Sequence, residues 1–321
     1  MSVPLWLWVA TVGGLLALIA LDLVIVDRKP HEVKPGEAAR WVIFYIGCAV
    51  AFGIGIFVFA GHDPGVEFFT GYITEYSLSV DNLFIFMIIM ASFKVPAIHQ
   101  HRVLLVGILL ALVMRSAFIA VGAALINQFV WVFFLFGAIL IWTAVSMVRK
   151  KDEDEEYQEN AVTRLVRKVF PVTDDFHGSK SFVKKDGKRW LTPMFVVIVA
   201  IGSADLLFAV DSIPAIFGIT QEAFLVFTAN AFALMGLRQL YFLLGGLVTK
   251  LVYLSYGLAV ILGFIGAKLF LHALHEYHVV PDWLDISNWV SLGVIVVVLA
   301  VTTVASLAKA KRTEAAELAA R

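Results

Sequence analysis

The segment TEYSLSVDNLFIF, Thr74–Phe86, places two acidic residues, Glu75 and Asp81, inside one of the most hydrophobic parts of the chain. The chain has 321 residues, of which 60% are hydrophobic and only 16% are charged, and its mean hydropathy is +0.88. A soluble domain carries roughly 25% charged residues. Because a charge at the centre of a membrane helix costs about 3 kcal/mol, we expect these acids to face a polar cavity within a membrane protein.

Nine hydrophobic runs follow one another along the chain, and each is close to the ~20 residues that a helix needs to cross a bilayer. The predicted fold is therefore an all-α polytopic membrane protein with about nine transmembrane helices. Residues 149–192 are polar and separate spans 1–5, within residues 1–148, from spans 6–9, within residues 193–307. The predicted spans are 5–26, 41–60, 67–92, 102–125, 129–148, 193–219, 223–247, 251–271 and 287–307.

The basic residues predict the orientation of these spans. Of the 25 Lys and Arg residues, 22 fall on one side of the predicted membrane, and the other three, Arg115, Arg238 and Lys268, fall within spans. Cytoplasmic loops of membrane proteins are enriched in Lys and Arg. The N-terminus is therefore expected outside, with residues 149–192 as a cytoplasmic loop and residues 308–321 as a cytoplasmic tail.

The acidic segment recurs about 130 residues later as SADLLFAVDSIPAIF, Ser203–Phe217. Asp205 and Asp211 have the same spacing as Glu75 and Asp81. In the spans that follow, ALVMR and ALMGLR each end on an arginine, Arg115 in the first segment and Arg238 in the second.

Spans 3–5 and 6–8 are therefore predicted to be two copies of one three-helix unit, with spans 1, 2 and 9 as additions. Because three is an odd number, the second copy enters the membrane from the opposite side. Inverted repeats of this kind are typical of secondary transporters, whose substrate sites lie near the membrane midplane where the repeats meet.

The repeated acids are candidate ligands of a metal ion. Carboxylates that are brought together repel one another unless a cation joins them, and hard divalent ions such as Mn²⁺, Mg²⁺ and Ca²⁺ bind oxygen ligands. Neutral oxygens are available on the two residues that directly follow the second acid of each pair. The predicted metal ligands are Glu75, Asp81, Asn82, Asp205, Asp211 and Ser212.

Helix geometry leaves two arrangements of these ligands open. Six residues of a regular helix turn a side chain by about 240° and raise it by ~9 Å, so Glu75 and Asp81 cannot then share one ligand sphere. Either the helix unwinds between them, where Ser77 and Ser79 interrupt the hydrophobic run, or the acids form two stacked sites, each with one acid from each repeat.

Five more polar residues within spans are candidate supporting residues. The two arginines are interpreted as structural residues that hold carboxylates in place, with a position near a helix end as the alternative. The asparagine is either an additional ligand or a hydrogen bond between helices, and the aspartate of span 1 is compatible with a functional or a structural role. These residues are Asp22, Arg115, Asn230, Arg238 and Lys268.

Other features predict no specific site. The three histidines of Leu271–His278 are expected to be solvated, the pair at 186–187 predicts a hairpin turn, and residues 163–170 can form a short amphipathic helix. No phosphate-binding loop is present in the sequence. Residues 202–205, Gly-Ser-Ala-Asp, differ from the Gly-x-Gly-Asp signature of membrane aspartyl proteases. We therefore expect neither an enzyme nor a permanently bound cofactor.

Three motifs resemble the TerC family of integral membrane proteins: TGYITEYSLSVDNLF (70–84), TDDFHGSKSFVKKDGKRWLTP (173–193) and DLLFAVDSIPAIF (205–217). The resemblance covers the chain from about Ala17 to span 8. It implies a bacterial inner-membrane protein of manganese export and metal homeostasis, historically linked to tellurite resistance, with kinship to LysE-type transporters. Carried over by position, the family's acidic motif residues fall on Glu75, Asp81, Asp205 and Asp211.

Two positions depart from the family pattern. Many relatives carry a glutamate three residues before the first aspartate of the last motif, where this chain has Gly202. The number of ligands is therefore open. A lysine that is common near the end of span 5 is Ser146 here, whereas its counterpart in span 8 is Lys268.

The resulting hypothesis is a secondary transporter that exports a divalent cation, with Mn²⁺ as the first candidate substrate, by alternating access and with proton exchange as the driving reaction. The expected partners are the cation and the lipid bilayer, and nucleic acid is not among them. The alternative is a non-transporting scaffold or a partner that delivers metal to exported proteins, in contact with the secretion machinery or a stress complex.

Overall fold

A computed structural model of the protein describes residues 3–26, 35–149, 160–178, 180–185, 187–244, 251–281, 284 and 286–319, with side chains at all of these except 22–26, 188, 244 and 314–319. Within this part of the chain, eight helical segments are long and apolar enough to cross a membrane, one of which, Ala223–Leu243, comprises two consecutive helices, and a shorter apolar segment of the first helix, Leu5–Leu21, precedes them. The all-α polytopic membrane fold is confirmed. The helices are α1 (Leu5–Val26), α2 (Pro35–Phe59), α3 (His62–Ser92), α4 (Ala97–Gln128), α5 (Val132–Arg149), α6 (Ala161–Val169), α7 (Pro193–Phe217), α8 (Ala223–Met235), α9 (Leu237–Leu244), α10 (Leu254–Glu276) and α11 (Asn288–Ala319).

Every predicted span corresponds to a helix, but two of them differ from expectation. The seventh span is divided at Gly236 into α8 and α9, and glycine is the poorest helix former apart from proline. The last helix, α11, continues to Ala319, so most of the predicted tail extends the same helix. Residues 245–247 of the predicted seventh span lie outside the described residues.

The two acidic segments lie on unbroken helices. α3 is helical through both Glu75 and Asp81, and the Ser77 hydroxyl donates to the Ile73 carbonyl of the preceding turn at 2.6 Å, a local bond that is compatible with a helix. α7 is likewise helical through its acids, and Pro214 lies within its last turn. The helix therefore does not unwind between the acids, and two levels of acids remain.

Close backbone contact joins α5 to α10. A Cβ atom on Gly137 of α5 would lie 2.9 Å from the Gly266 carbonyl oxygen, and one on Gly266 would lie 3.0 Å from the Gly137 carbonyl oxygen. Small residues allow such close approach between helices in membranes. Near the acidic segments, α3 packs against α7 and α8, and α4 packs against α7.

The polar segment between α5 and α7 contains α6 and an antiparallel hairpin of β1 (Phe182–Lys185) and β2 (Lys188–Leu191). The predicted hairpin is confirmed, with Gly187 at φ +75° in its turn. Asn160 caps α6 by accepting from the Thr163 amide at 2.9 Å, and its Nδ2 donates to the Ser203 hydroxyl of α7 at 2.6 Å. The cap therefore ties α6 to the helix that carries Asp205.

Candidate cation site

Two of the acids meet on one arginine. Arg115 of α4 donates through Nε and Nη2 to the two carboxylate oxygens of Asp205 in α7, at 3.1 and 3.0 Å. Its Nη1 donates to Glu75 Oε1 of α3 and, at 3.1 Å, to the Ser212 hydroxyl. All four side chains are buried, and Arg115 has no exposed surface. Residues 40, 90 and 97 positions from Arg115 in sequence thus converge on its guanidinium.

The two carboxylates are held differently. Asp205 forms the paired hydrogen bonds that match a guanidinium to a carboxylate, whereas Glu75 is bound through Oε1 and its Oε2 has no hydrogen-bond partner among the described residues. Removing one member of a buried ion pair costs about 3–5 kcal/mol, because the other charge is left uncompensated. Arg115 is therefore the group that makes these two acids tolerable in the protein interior in this conformation.

Asp81 and Asp211 form a second level that is less buried. Both side chains are partly exposed, and the Ser255 hydroxyl at the start of α10 donates to Asp81 Oδ1 at 2.9 Å. Asp211 is close enough to both Asp81 and Arg115 for charge interaction. Asn82, beside Asp81, is buried.

The predicted ligands do not form one coordination sphere in this structure. Among the described residues, no three His, Cys, Asp or Glu side chains are grouped so that they could hold a metal ion. The physical reason is that the helices are regular, which separates the two acids of each helix, and that a guanidinium occupies the space between Glu75 and Asp205.

Several buried polar atoms on α3 and on α8, which packs against it, have no hydrogen-bond partner in the described part of the chain. Besides Glu75 Oε2, they include the Ser79 hydroxyl, one helical turn further along α3, and the Asn230 side-chain nitrogen on α8. Buried polar atoms are rarely left without a partner in proteins. The two oxygens on α3 are therefore available to a ligand.

Comparison with known proteins decides the family. Residues 60–314 match the family described as "Integral membrane protein TerC family". The chain belongs to the TerC family. An uncharacterized membrane protein of Mycobacterium tuberculosis is 44% identical over 95% of this chain and 79% of its own length. A second, from Myxococcus xanthus, is 39% identical over 95% of this chain and 93% of its own.

A third relative of this TerC protein has a more specific description. The "putative membrane-bound redox modulator Alx" of Photorhabdus laumondii is 36% identical over 93% of each chain. No solved structure matches the chain.

Arg115, Glu75, Asp205 and Ser212 form a group that we call the Arg115 cluster. The predicted supporting residues of the TerC chain do not all lie at this cluster. Arg238, on α9, is buried beside a cavity of about 20 Å³ that Leu109 and Leu112 of α4 also line. Asn230 is buried on α8. Asp22 lies in α1, but its side chain is outside the described residues.

Lys268 belongs to a different polar cluster, which includes residues that the sequence did not single out. Its Nζ donates to Asn288 Oδ1 at 2.7 Å, and Asn288 Nδ2 donates to Glu67 Oε1 at 3.1 Å. The Thr220 hydroxyl donates to Glu67 Oε2 at 2.6 Å. This cluster, which we call the Glu67 cluster, lines a cavity of about 320 Å³.

Glu67 was not singled out from the sequence, although it is the first residue of the predicted third span and lies eight residues before Glu75 on α3. His272 was expected to be solvated, yet it is half-buried, lines the same cavity and lies 2.8 Å from the Gln221 side-chain nitrogen. Asn288 could not have been found from sequence, because it is 221 residues from Glu67.

Proposed function

We propose that this TerC-family protein is a secondary transporter that exports a divalent metal cation, with Mn²⁺ as the favoured substrate, by alternating access. The observation that carries the proposal is the convergence of Glu75 and Asp205, from two different helices, on a single buried guanidinium. Asp81 and Asp211 extend this group of acids toward more exposed positions. A buried set of carboxylates that exceeds its fixed positive charge is suited to a mobile cation.

The chemistry of the donors favours a hard divalent ion. The candidate ligands offer carboxylate, amide and hydroxyl oxygens, which suit Mn²⁺, Mg²⁺ and Ca²⁺. The manganese assignment among these ions rests on the family resemblance.

The packing of the helices supports the predicted inverted repeat. The first helix of each unit packs against the second helix of the other, since α3 contacts α8 and α7 contacts α4, and the third helices, α5 and α10, pack together. Such reciprocal contacts are expected of two units related by a two-fold axis, with the substrate between them. The excess of Lys and Arg in alternate connections supports an external N-terminus and a cytoplasmic C-terminus in a bacterial inner membrane.

Export of two positive charges against a potential of 100 mV, negative inside, costs about 4.6 kcal/mol. The transporter therefore needs a coupled reaction, and we propose exchange of the metal ion for protons. Carboxylates can serve both ions, because they bind a metal when ionised and a proton when neutral.

The discriminating experiment is transport by the purified protein in liposomes. We expect Mn²⁺ flux that is accelerated by an opposing pH gradient, tested beside Mg²⁺ and Ca²⁺ in the same preparation. Metal binding without flux would contradict the transporter and favour the alternative, a membrane partner that delivers metal to exported proteins. The description of one relative as a redox modulator gains no support from thiol chemistry here, because this sequence has one cysteine, Cys48, and so no internal disulfide.

A further inference from the structure

The difference between Glu75 and Asp205 at Arg115 assigns them different tasks, provided that the proposed transport function holds. Asp205 accepts from two guanidinium nitrogens through both of its oxygens. Glu75 accepts through one oxygen, and its donor, Nη1, is shared with Ser212. An incoming ion therefore has fewer bonds to replace at Glu75 than at Asp205.

A second observation points to the side from which an ion would reach Glu75. Its buried Oε2 has no hydrogen-bond partner among the described residues, and neither has the hydroxyl of Ser79, four residues further along α3. Side chains four residues apart on a helix are neighbours on one face. An ion can thus approach Glu75 at Oε2, and Glu75 Oε1 leaves Arg115 as the ion is bound, while Asp205 stays paired with Arg115.

The charge count shows why Arg115 matters for the class of ion. Glu75 and Asp205, which bind Arg115 directly, sum with the guanidinium to −2 + 1 = −1 when ionised, and Asp81 and Asp211 of the second level bring the total to −3. One divalent ion leaves this set at −1, whereas one monovalent ion leaves it at −2. Without the guanidinium the sum is −4, and a monovalent ion can take the place that the guanidinium leaves beside Glu75 and Asp205.

We propose that Arg115 is the residue that sets selectivity against monovalent cations: permanently paired with Asp205, it holds Glu75 by a bond that a divalent ion displaces and Na⁺ or K⁺ does not. At equal distance, a divalent ion attracts a carboxylate twice as strongly as a monovalent ion does. The guanidinium is tethered, always charged and therefore always present as a competitor.

The test is Mn²⁺ binding to the purified full-length protein in nanodiscs, measured in NaCl, in KCl and in choline chloride at equal ionic strength, so that screening is constant. For the wild type we expect the same Kd in all three salts. For Arg115→Gln we expect the Kd for Mn²⁺ to be at least about 10-fold higher in NaCl than in choline chloride, because Na⁺ can then bind beside Glu75 in the place that the guanidinium has left, whereas choline is too large to do so. Arg115→Lys, which keeps the charge but not the paired geometry, should lie between them.

Arg238→Gln is the matched comparison, because it also removes a buried guanidinium. We expect it to lower thermal stability without introducing competition by Na⁺. Competition by Na⁺ in the wild type, or an Arg115→Gln protein whose Kd is insensitive to Na⁺, would overturn the proposal.

A second pair of variants keeps the proposal testable if Arg115→Gln does not fold. We expect Glu75→Gln to weaken Mn²⁺ binding by about 10-fold or more with little change in Tm, and Asp205→Asn to lower Tm strongly. The reverse pattern would overturn the division of tasks. A wild-type protein that binds no Mn²⁺ in any salt would contradict the proposed function itself, whereas binding with Na⁺ competition would contradict only this inference.

Discussion

At the scale of single residues, the protein interior contains more carboxylates than an apolar environment accepts without compensation. Arg115 compensates for Glu75 and Asp205 by direct hydrogen bonds, and both are buried. Asp81 and Asp211 are instead partly exposed. Substitution of this second pair should therefore disturb folding less than substitution of Asp205.

The second pair allows a test of export in cells. Asp81→Asn and Asp211→Asn each remove one negative charge, so we expect cells that rely on this protein to accumulate Mn²⁺ at least severalfold more than with the wild type. Cell manganese can be measured by mass spectrometry, with protein amount in the membrane as the reference. Asp63→Asn is the control, because Asp63 is an exposed acid at the start of α3, the helix that carries Asp81. Export that continues unchanged in both variants would remove these aspartates from the ligand set.

At the scale of helices, glycine decides how closely α5 and α10 approach. Gly137 and Gly266 each leave no room for a Cβ atom, because the nearest backbone oxygen of the other helix is 2.9–3.0 Å from that position. Lipid provides no hydrophobic drive for helix association, so close van der Waals contact between helices is a main source of their affinity. If α5 and α10 separated, the two helices that carry the acids, α3 and α7, would lose support.

The contact between α5 and α10 predicts that two glycine-to-alanine substitutions in these helices differ in their effect on protein stability. Gly137→Ala should destabilise the protein by about 1–3 kcal/mol, since a backbone atom must move to admit the methyl group. Gly263→Ala on α10 should be close to neutral, because its Cβ would meet only the Ala144 methyl group at an ordinary 3.8 Å. Thermal unfolding of the purified variants in one detergent gives both values. Equal Tm values for the two variants would show that the close contact does not contribute.

At the scale of the whole molecule, the Glu67 cluster joins parts of the chain that are far apart in sequence. Glu67 of α3 is hydrogen-bonded to Thr220, in the connection between α7 and α8, and to Asn288 at the start of α11. Between Glu67 and Glu75, a Cβ atom at Gly71 would lie 3.2 Å from Ile216 and 3.5 Å from Ala229. The molecule is thus tightly packed between the Glu67 cluster and the Arg115 cluster.

Alternating access requires this packed region to open, and a cross-link should prevent it. In a Cys48→Ser background, we expect a short bifunctional thiol reagent that bridges Glu67→Cys and Thr220→Cys to stop Mn²⁺ transport in liposomes. A reducible linker should restore transport after reduction, which separates the cross-link from damage by the substitutions. Each single cysteine variant treated with the same reagent is the control. Full transport by the cross-linked protein would show that this end of the molecule stays closed during the cycle.

Much of this architecture could be predicted, and the errors have local causes. Hydropathy located the eight candidate spans and the shorter apolar helix that the described part of the chain contains, because a helix that crosses a bilayer must be apolar over about 20 residues. Hydropathy placed Gly236 inside one helix, because a single glycine barely changes the mean hydropathy of a span. The paired acids were found because charges are rare in such runs, but Glu67, the first residue of a predicted span, was not among the predicted site residues. The assignment of Glu75 and Asp205 to one arginine was not predicted.

Hydropathy and charge along the chain were sufficient to specify a polytopic helical protein, the order of its spans and the presence of four unusual acids, because each of these depends on neighbouring residues and on lipid or water as the surroundings. Which acids bind the same guanidinium depended on how the helices are rotated and how closely they approach. The residues that are joined at the Arg115 cluster lie 40 to 97 positions apart in sequence. A side chain's partner across such a distance is set by packing between helix surfaces, to which no local pattern in the sequence corresponds.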